Sequence, residues 1–308
     1  MPTERPPTLD PVAAARWAAM PLPPKGQALA SPWLHDEVAK RMQKRLDFIR
    51  LNPASWAMWE PLRSGLAALP LIQARYPQAA LHLHAARVHE AQRVKNFIQS
   101  KWWQPRRWTQ GKVHATLPET AAVDMMWANM LLHQEVQPQD MLAQWHQSLA
   151  PDGFLMFSCL GPDTLRELRE VHRQCSWPEP AHEFTDMHDW GDMLVQAGFA
   201  EPVMDMERIT LTYINSDKLL ADLRALGRNL HRQRFQGLRG KSWLAHWHQA
   251  LLKLAQPANG GPLSLSFEVV YGHAMKPQPR MKVSAESQIN LSDMRQMLRN
   301  SQKKPNQV

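Results

Sequence analysis

The chain is poor in cysteine: Cys159 and Cys175 are the only two among 308 residues. Two thiols cannot build a disulfide framework, so an apolar core has to hold the fold together. Long hydrophobic runs are also lacking, and no apolar stretch approaches the ~20 residues that span a bilayer. The expectation is a soluble, cytoplasmic protein with no membrane partner. The first thirty residues lack the apolar h-region of a secretory signal and hold prolines at positions 2, 6, 7, 11, 21, 23 and 24. Residues 1–30 are therefore expected to be a flexible leader. No internal repeat is present. His82 and His84 share one face of a strand, but no third ligand clusters with them, so no metal site is expected.

The 44% hydrophobic content is ample for one large core, and a single main domain over residues 31–275 is the economical organisation. The formal charge of +8 raises nucleic-acid binding, so its location matters. Residues 276–308 hold seven basic and two acidic side chains and thus +5 of that charge. A nearly balanced body with a solvated basic tail makes nucleic acid an unlikely partner. The segment Lys101–Trp108 mixes arginines with tryptophans, as single-strand binders do. Tryptophans packed on a surface loop beside solvated arginines explain it more simply.

Leu34, Val38, Met42, Leu46 and Ile49 recur at helical spacing behind Ser31-Pro32, which predicts a capped amphipathic helix over residues 34–50. Short apolar runs at Ala80–His84, Val123–Ala128 and Phe154–Cys159 then alternate with helical patterns, which argues for a mostly parallel sheet covered on both faces. Arg208–Tyr213 and Leu263–Tyr271 instead alternate with period two. They are expected to form an antiparallel edge, with residues 216–257 inserted between them as helical cover. Cys159 has no base beside it in sequence and is read as a small core residue.

Several segments resemble one family. Val123–His133, followed by Ser148–Ser158 with its Pro151-Asp152-Gly153 turn, resembles the fourth and fifth strands of class I methyltransferases. Phe157–Arg169, Phe184–Asp192, Gly198–Asp205, Leu220–Gly227, Phe267–His273 and Trp33–Met42 together resemble the malonyl-carrier-protein O-methyltransferase (BioC) family of biotin synthesis. The likeness spans roughly residues 31–275. It implies a Rossmann-like α/β fold with a seven-stranded, mostly parallel sheet, S-adenosylmethionine as methyl donor, and an acyl carrier protein or acyl thioester as partner.

The residues depart from that family on the donor side. The family's first strand ends in an acid and a glycine-rich turn, because backbone must approach the donor without a Cβ in the way. Here Pro53–Gly65 has one glycine, at its far end, and two tryptophans. Glu60 is a displaced acid whose backbone Pro61 should hold extended. At the end of the second strand, where the family has a ribose-binding carboxylate, stands His84. The third acidic position falls near Gly111–His114 and lacks a carboxylate. Ala128, Asn129 and His133 after the fourth strand remain family-like, so the donor candidates are Glu60, His84, Ala128, Asn129 and His133.

The implied reaction is attack of a malonyl carboxylate on the donor methyl. A carboxylate of pKa near ~4 is already ionised at neutral pH, so no general base is needed and no catalytic residue is assigned. Catalysis then rests on alignment. Arg166 or Arg169 could hold the substrate carboxylate through two parallel bonds, or could equally sit on a helix flank paired with Glu167 or Glu170. The resemblance puts Asp163, Thr164 and His188 on the same substrate side. Two readings stay open: an active carboxyl methyltransferase, and an inactive relative that keeps the substrate face and works by binding a partner.

Overall fold

The structure, a computed structural model, describes residues 8–20, 31–98, 111–254 and 262–279. The Lys101–Trp108 segment and nearly all of the basic tail lie outside these ranges. One compact unit ends at Pro277 and a second begins at Gln278.

The elements run α1 (Pro11–Ala19), α2 (Trp33–Arg45), β1 (Ser55–Trp59), α3 (Pro61–Ser64), α4 (Ala68–Arg75), β2 (Ala80–His84), α5 (Val88–Ile98), β3 (Val113–His114) and β4 (Val123–Ala128). There follow α6 (Pro138–Ser148), β5 (Leu149–Leu160), α7 (Arg166–Gln174), α8 (Met187–Gln196), β6 (Ala200–Tyr213), α9 (Ser216–Leu226), α10 (Lys241–Leu254) and β7 (Leu263–Met275). The strands form one sheet in the order β3-β2-β1-β4-β5-β7-β6. β1 pairs parallel with β2 and β4, β2 with β3, and β4 with β5. β7 runs antiparallel to both β5 and β6.

Strand composition sets these positions. From Gly153 to Leu160 β5 is buried on both faces, and Phe154–Leu160 reads as an apolar run interrupted only by Ser158. Phe154, Met156 and Leu160 enter one core while Leu155, Phe157 and Cys159 enter the other, each face taking alternate residues. Each such aromatic or aliphatic side chain contributes about 1.5–3 kcal/mol on burial. β6 is mostly exposed on its outer face and forms the edge. Trp145 of α6 and Trp190 of α8 fill the second core, and Leu34, Val38 and Met42 of α2 fill the first.

Three local expectations are corrected. Residues 8–20 of the supposed leader are ordered: Asp10 caps α1 by accepting from the Val12 amide, Pro11 supplies a preset first turn, and Leu9 bridges His231. Ser31 does not cap α2; its hydroxyl donates to Asp36 and accepts the Leu66 amide, tying that helix to the turn after α3. Helix α2 stops at Arg45 and a 3₁₀ turn over Leu46–Phe48 completes the segment.

Strand order reverses between β1 and β4, and in open parallel sheets the crevice beyond the carboxyl ends at such a point takes the ligand. The segments that reach it are Trp59–Gly65, His84–Glu90 and Ala128–Glu135.

Candidate active site

At the end of β1 the chain makes a turn that an L-residue rarely adopts. Glu60 has φ +49° and ψ +56°, left-handed and not extended, contrary to the bias that Pro61 imposes. Its neighbours over-determine the conformation. The Glu60 amide donates to the His84 carbonyl (2.7 Å), and its Oε1 accepts the Ala86 amide (2.5 Å). Its carbonyl accepts the Arg63 and Ser64 amides, which starts α3. Trp59 packs against His84 with ring centroids 4.0 Å apart and planes tilted by 47°, and meets Trp145 edge-on.

Trp59, Glu60, His84 and Ala86 wall a cavity of about 250 Å³ at the switch point, which Glu90 and Glu135 and the arginines Arg63 and Arg87 also line, three carboxylates to two guanidinium groups. Burial raises the Glu60 pKa against the opposing bond from the Ala86 amide, and burial likewise raises that of Glu135. Glu90 is 2% exposed, with Arg87 Nη1 at 4.0 Å. His84 is held neutral, its pKa lowered to about 4 by burial. Helix α1 closes the cavity. The Arg63 guanidinium lies 4.9 Å from the Trp17 ring and donates to the carbonyls of Ala18 and Met20.

A second cavity, of about 230 Å³, adjoins the first, and Gln134 lines both. Its wall is mainly apolar, including Leu160, Leu168 and Phe267, and three histidines supply its buried polar groups. His35 donates from Nδ1 to the Arg63 carbonyl (2.6 Å) and His182 donates from Nε2 to the His133 carbonyl (2.6 Å). Burial lowers the pKa of His35 and of His182 to about 4, and holds that of His133 well below the ordinary value. All three are neutral near pH 7.

The candidates from sequence are distributed unevenly between these places. Glu60 and His84 meet in the first cavity and His133 lines the second. Asn129 lines neither: its Nδ2 donates to the carbonyls of His35 and Ser64 while its Oδ1 accepts the Ser158 hydroxyl, so it clamps β4 to the β1 turn. Ala128 is packed in the second core. Asp163, Arg166 and Arg169 share a separate groove on the α7 side. Arg169 is not available as a carboxylate fork, because it donates to the carbonyls of Ala181 and His182 and pairs with Glu179. Arg166 is half-exposed and pairs with Glu167, and Asp163 pairs with Arg208. Thr164 exchanges bonds with the Glu268 backbone, and His188 is an exposed partner of Asp186 at the start of α8.

Sequence reasoning missed Glu90, Glu135, His35 and His182. His35 sits inside the Trp33–Met42 motif, so its signal was present but unread. The two extra carboxylates also change the meaning of the missing β2 acid, since the cavity is acidic without it. His82 and His84, considered as a ligand pair, each lie against another ring: His82 stacks on His114 at 4.8 Å, and His84 packs at a tilt against Trp59.

A sheet of this order with one antiparallel strand before the edge, and an acidic cavity at its switch point, defines a class I methyltransferase-type α/β protein. Solved structures agree on the fold. The YcgJ protein of Bacillus subtilis superposes with a TM-score of 0.51 at 12% identity, covering 79% of this chain and 99% of that one. A Bacillus halodurans protein described as a putative methyltransferase gives 0.50 at 14%, covering 78% and 100%. No family model matches the chain. Relatives over about four fifths of the chain are nonetheless clear. The malonyl-acyl-carrier-protein O-methyltransferase of Gallionella capsiferriformans is 39% identical over 259 residues, 82% of this chain and 87% of that protein. The protein of the same name from Laribacter hongkongensis is 39% identical over 260 residues, 81% and 86%. The chain belongs to the malonyl-acyl-carrier-protein O-methyltransferase family.

Proposed function

We propose that the protein transfers a methyl group from S-adenosylmethionine to the free carboxylate of a malonyl thioester carried by an acyl carrier protein. The supporting observation is the pair of cavities that meet at Gln134, one acidic and one mainly apolar. A two-substrate transfer needs adjoining sites of different chemistry.

The acidic cavity fits the donor by its ligand set. S-adenosylmethionine carries a sulfonium, an ammonium and ribose hydroxyls, all complementary to carboxylates, and when bound it supplies an electrophilic methyl. Glu60, Glu90 and Glu135 would hold it, with Glu60 standing in from β1 for the acid absent from β2. Trp59 offers an aromatic face for cation–π contact. At about 250 Å³ the cavity is smaller than the ~300–1,000 Å³ usual for ligand sites. Helix α1 therefore has to shift for the donor to enter.

On the acceptor side the malonyl carboxylate is the nucleophile and is ionised at neutral pH, with a pKa near ~4, so these residues need only orient it and exclude water. Neutral histidines suit that task, since they bind an oxygen without withdrawing its charge as a guanidinium fork would. The carrier would dock along α7, where Arg166 and Arg173 lie 54% and 71% exposed at the groove. Their pairs with Glu167 and Glu170 are surface pairs of ~0–1 kcal/mol and are easily exchanged for acidic groups of a partner.

The test is incubation with methyl-labelled S-adenosylmethionine and malonyl-loaded carrier protein. Label appearing as a base-labile ester on the carrier supports the reading. No transfer, together with no calorimetric binding of the donor, refutes it.

A further inference from the structure

The polar contacts between the two cavities assign their own protons. An indole N–H only donates, so the 2.6 Å contact from Trp17 Nε1 identifies the end of Gln134 that it touches as the oxygen. The other end is then the NH₂ group, and it lies 3.1 Å from His133 Nε2. An amide nitrogen does not accept, so Nε2 presents its lone pair. A neutral imidazole has one proton, which therefore sits on Nδ1 of His133. That nitrogen is buried and has no partner among the described residues. In His182 the order is reversed: Nε2 donates to a carbonyl, which leaves its equally unpartnered Nδ1 as an acceptor.

Several buried side-chain nitrogens lack a partner among the described residues, but of these only those of His133 and His182 belong to residues that line the acceptor cavity, and a buried donor beside a cavity points to a ligand acceptor. We propose that Trp17 and Gln134 are positioning residues that hold His133 as a hydrogen-bond donor to the carboxylate to be methylated. The proposal rests on the function given above. It also gives α1 a second role, because the helix that closes the donor cavity then sets the tautomer of an acceptor residue. The helix is placed for it: Asp10 pairs with Arg234, the Asp10 amide donates to the Leu230 carbonyl (2.8 Å), and Ala13 and Ala14 pack with Leu230. A carboxylate accepts and never donates, which matches His133 Nδ1–H and not the His182 lone pair. Arg169, behind this wall, has its donors committed to backbone carbonyls, and of the two arginines that line the cavity, Arg224 and Arg228, the second donates to the carbonyls of Arg224 and Gly227.

Two measurements test the idea. Long-range ¹H–¹⁵N spectra of the unliganded, histidine-labelled protein report the tautomer directly. The wild type should show His133 protonated at Nδ1. Trp17→Phe frees Gln134 to turn over and should give a mixture of tautomers. Calorimetry then compares malonyl-loaded with acetyl-loaded carrier protein. Losing one bond to a charged group should weaken malonyl-carrier binding about tenfold to a hundredfold in Trp17→Phe and His133→Phe, leave acetyl-carrier binding unchanged, and be partly restored in His133→Asn, which keeps a donor. A wild-type preference for the malonyl carrier that survives in both phenylalanine variants, or a tautomer unmoved in Trp17→Phe, would overturn the proposal alone. Equal wild-type affinity for the two carriers would overturn the functional reading and the proposal with it.

Discussion

Glu60 and His84 close the ends of β1 and β2 on each other, for the Glu60 amide donates to the His84 carbonyl at 2.7 Å while the Glu60 side chain reaches past it to the Ala86 amide. This lets a carboxylate rooted on the first strand occupy the mouth of the second. Glu60→Gln keeps an oxygen for Ala86 and removes the charge, so donor affinity measured by calorimetry should fall about tenfold or more. The pH dependence has a definite sign. Burial raises the native pKa of Glu60 above 4.5, so donor binding that needs the anion weakens as pH falls through that raised value. Stability moves the other way, because the unfolded chain ionises first and the group costs stability once pH rises above 4.5. The glutamine variant should therefore be the more stable apo protein near pH 7, and a rise in donor affinity in that variant would contradict the assignment.

Four buried or half-buried histidines make the fold sensitive to acid. His35, His84 and His182 have native pKa values near 4, and that of His133 is held well below 6.5. Between 6.5 and about 4 the unfolded chain binds protons that the native state refuses, so stability falls as pH falls, by up to ~1.4 kcal/mol per pH unit for each histidine. Urea unfolding at pH 7.0 and 5.0 should show a large loss of stability with little change in slope. His35→Gln should shrink that loss.

Arg169 and Arg166 look equivalent in sequence, three residues apart on one helix, but they differ in what they hold. Arg169→Met would leave the carbonyls of Ala181 and His182 without their donor and should cost ~1–3 kcal/mol. It should also loosen the wall of the acceptor cavity. Arg166→Ala should change stability by less than ~0.5 kcal/mol, since only an exposed pair with Glu167 is lost. Similar denaturation midpoints for the two variants would contradict these roles.

The legible parts of the fold were those with a local signature. β2 and β4 coincide with the apolar runs Ala80–His84 and Val123–Ala128, and period-two alternation located the antiparallel edge. β1 was harder, because Ser55–Trp59 carries two tryptophans and leads into a turn without the expected glycines. Helix α1 was hidden by its proline-rich surroundings, although Asp10-Pro11 is a competent start signal. The acidic cavity was only partly legible for another reason. Glu60, Glu90 and Glu135 are separated by whole elements, and only parallel pairing of β1 with β2 and β4 brings them together. The contact of Trp17 with Gln134 spans 117 residues and has no local signature.

Gly65 shows how the altered turn is used. Its φ is +98°, and a Cβ there would lie 2.7 Å from the His35 carbonyl oxygen. The missing side chain serves close packing of the turn against α2 and not the approach of a ligand. The same contact region holds Asp36, whose carboxylate accepts the Ala67 amide, and Asn129, which donates to the carbonyls of His35 and Ser64. Gly65→Ala meets both a backbone clash and a left-handed conformation, so it should destabilise the protein by ~2 kcal/mol or more. Because His35 moves with that carbonyl, the variant should also perturb the acceptor cavity, seen as a shifted His35 ring resonance at temperatures where the protein is still folded. Gly240→Ala, where an added Cβ meets nothing within 4 Å, is the matched control and should leave the melting temperature nearly unchanged. Equal melting temperatures for the two variants would show that the turn relaxes away from α2 and that the packing role assigned to Gly65 is wrong.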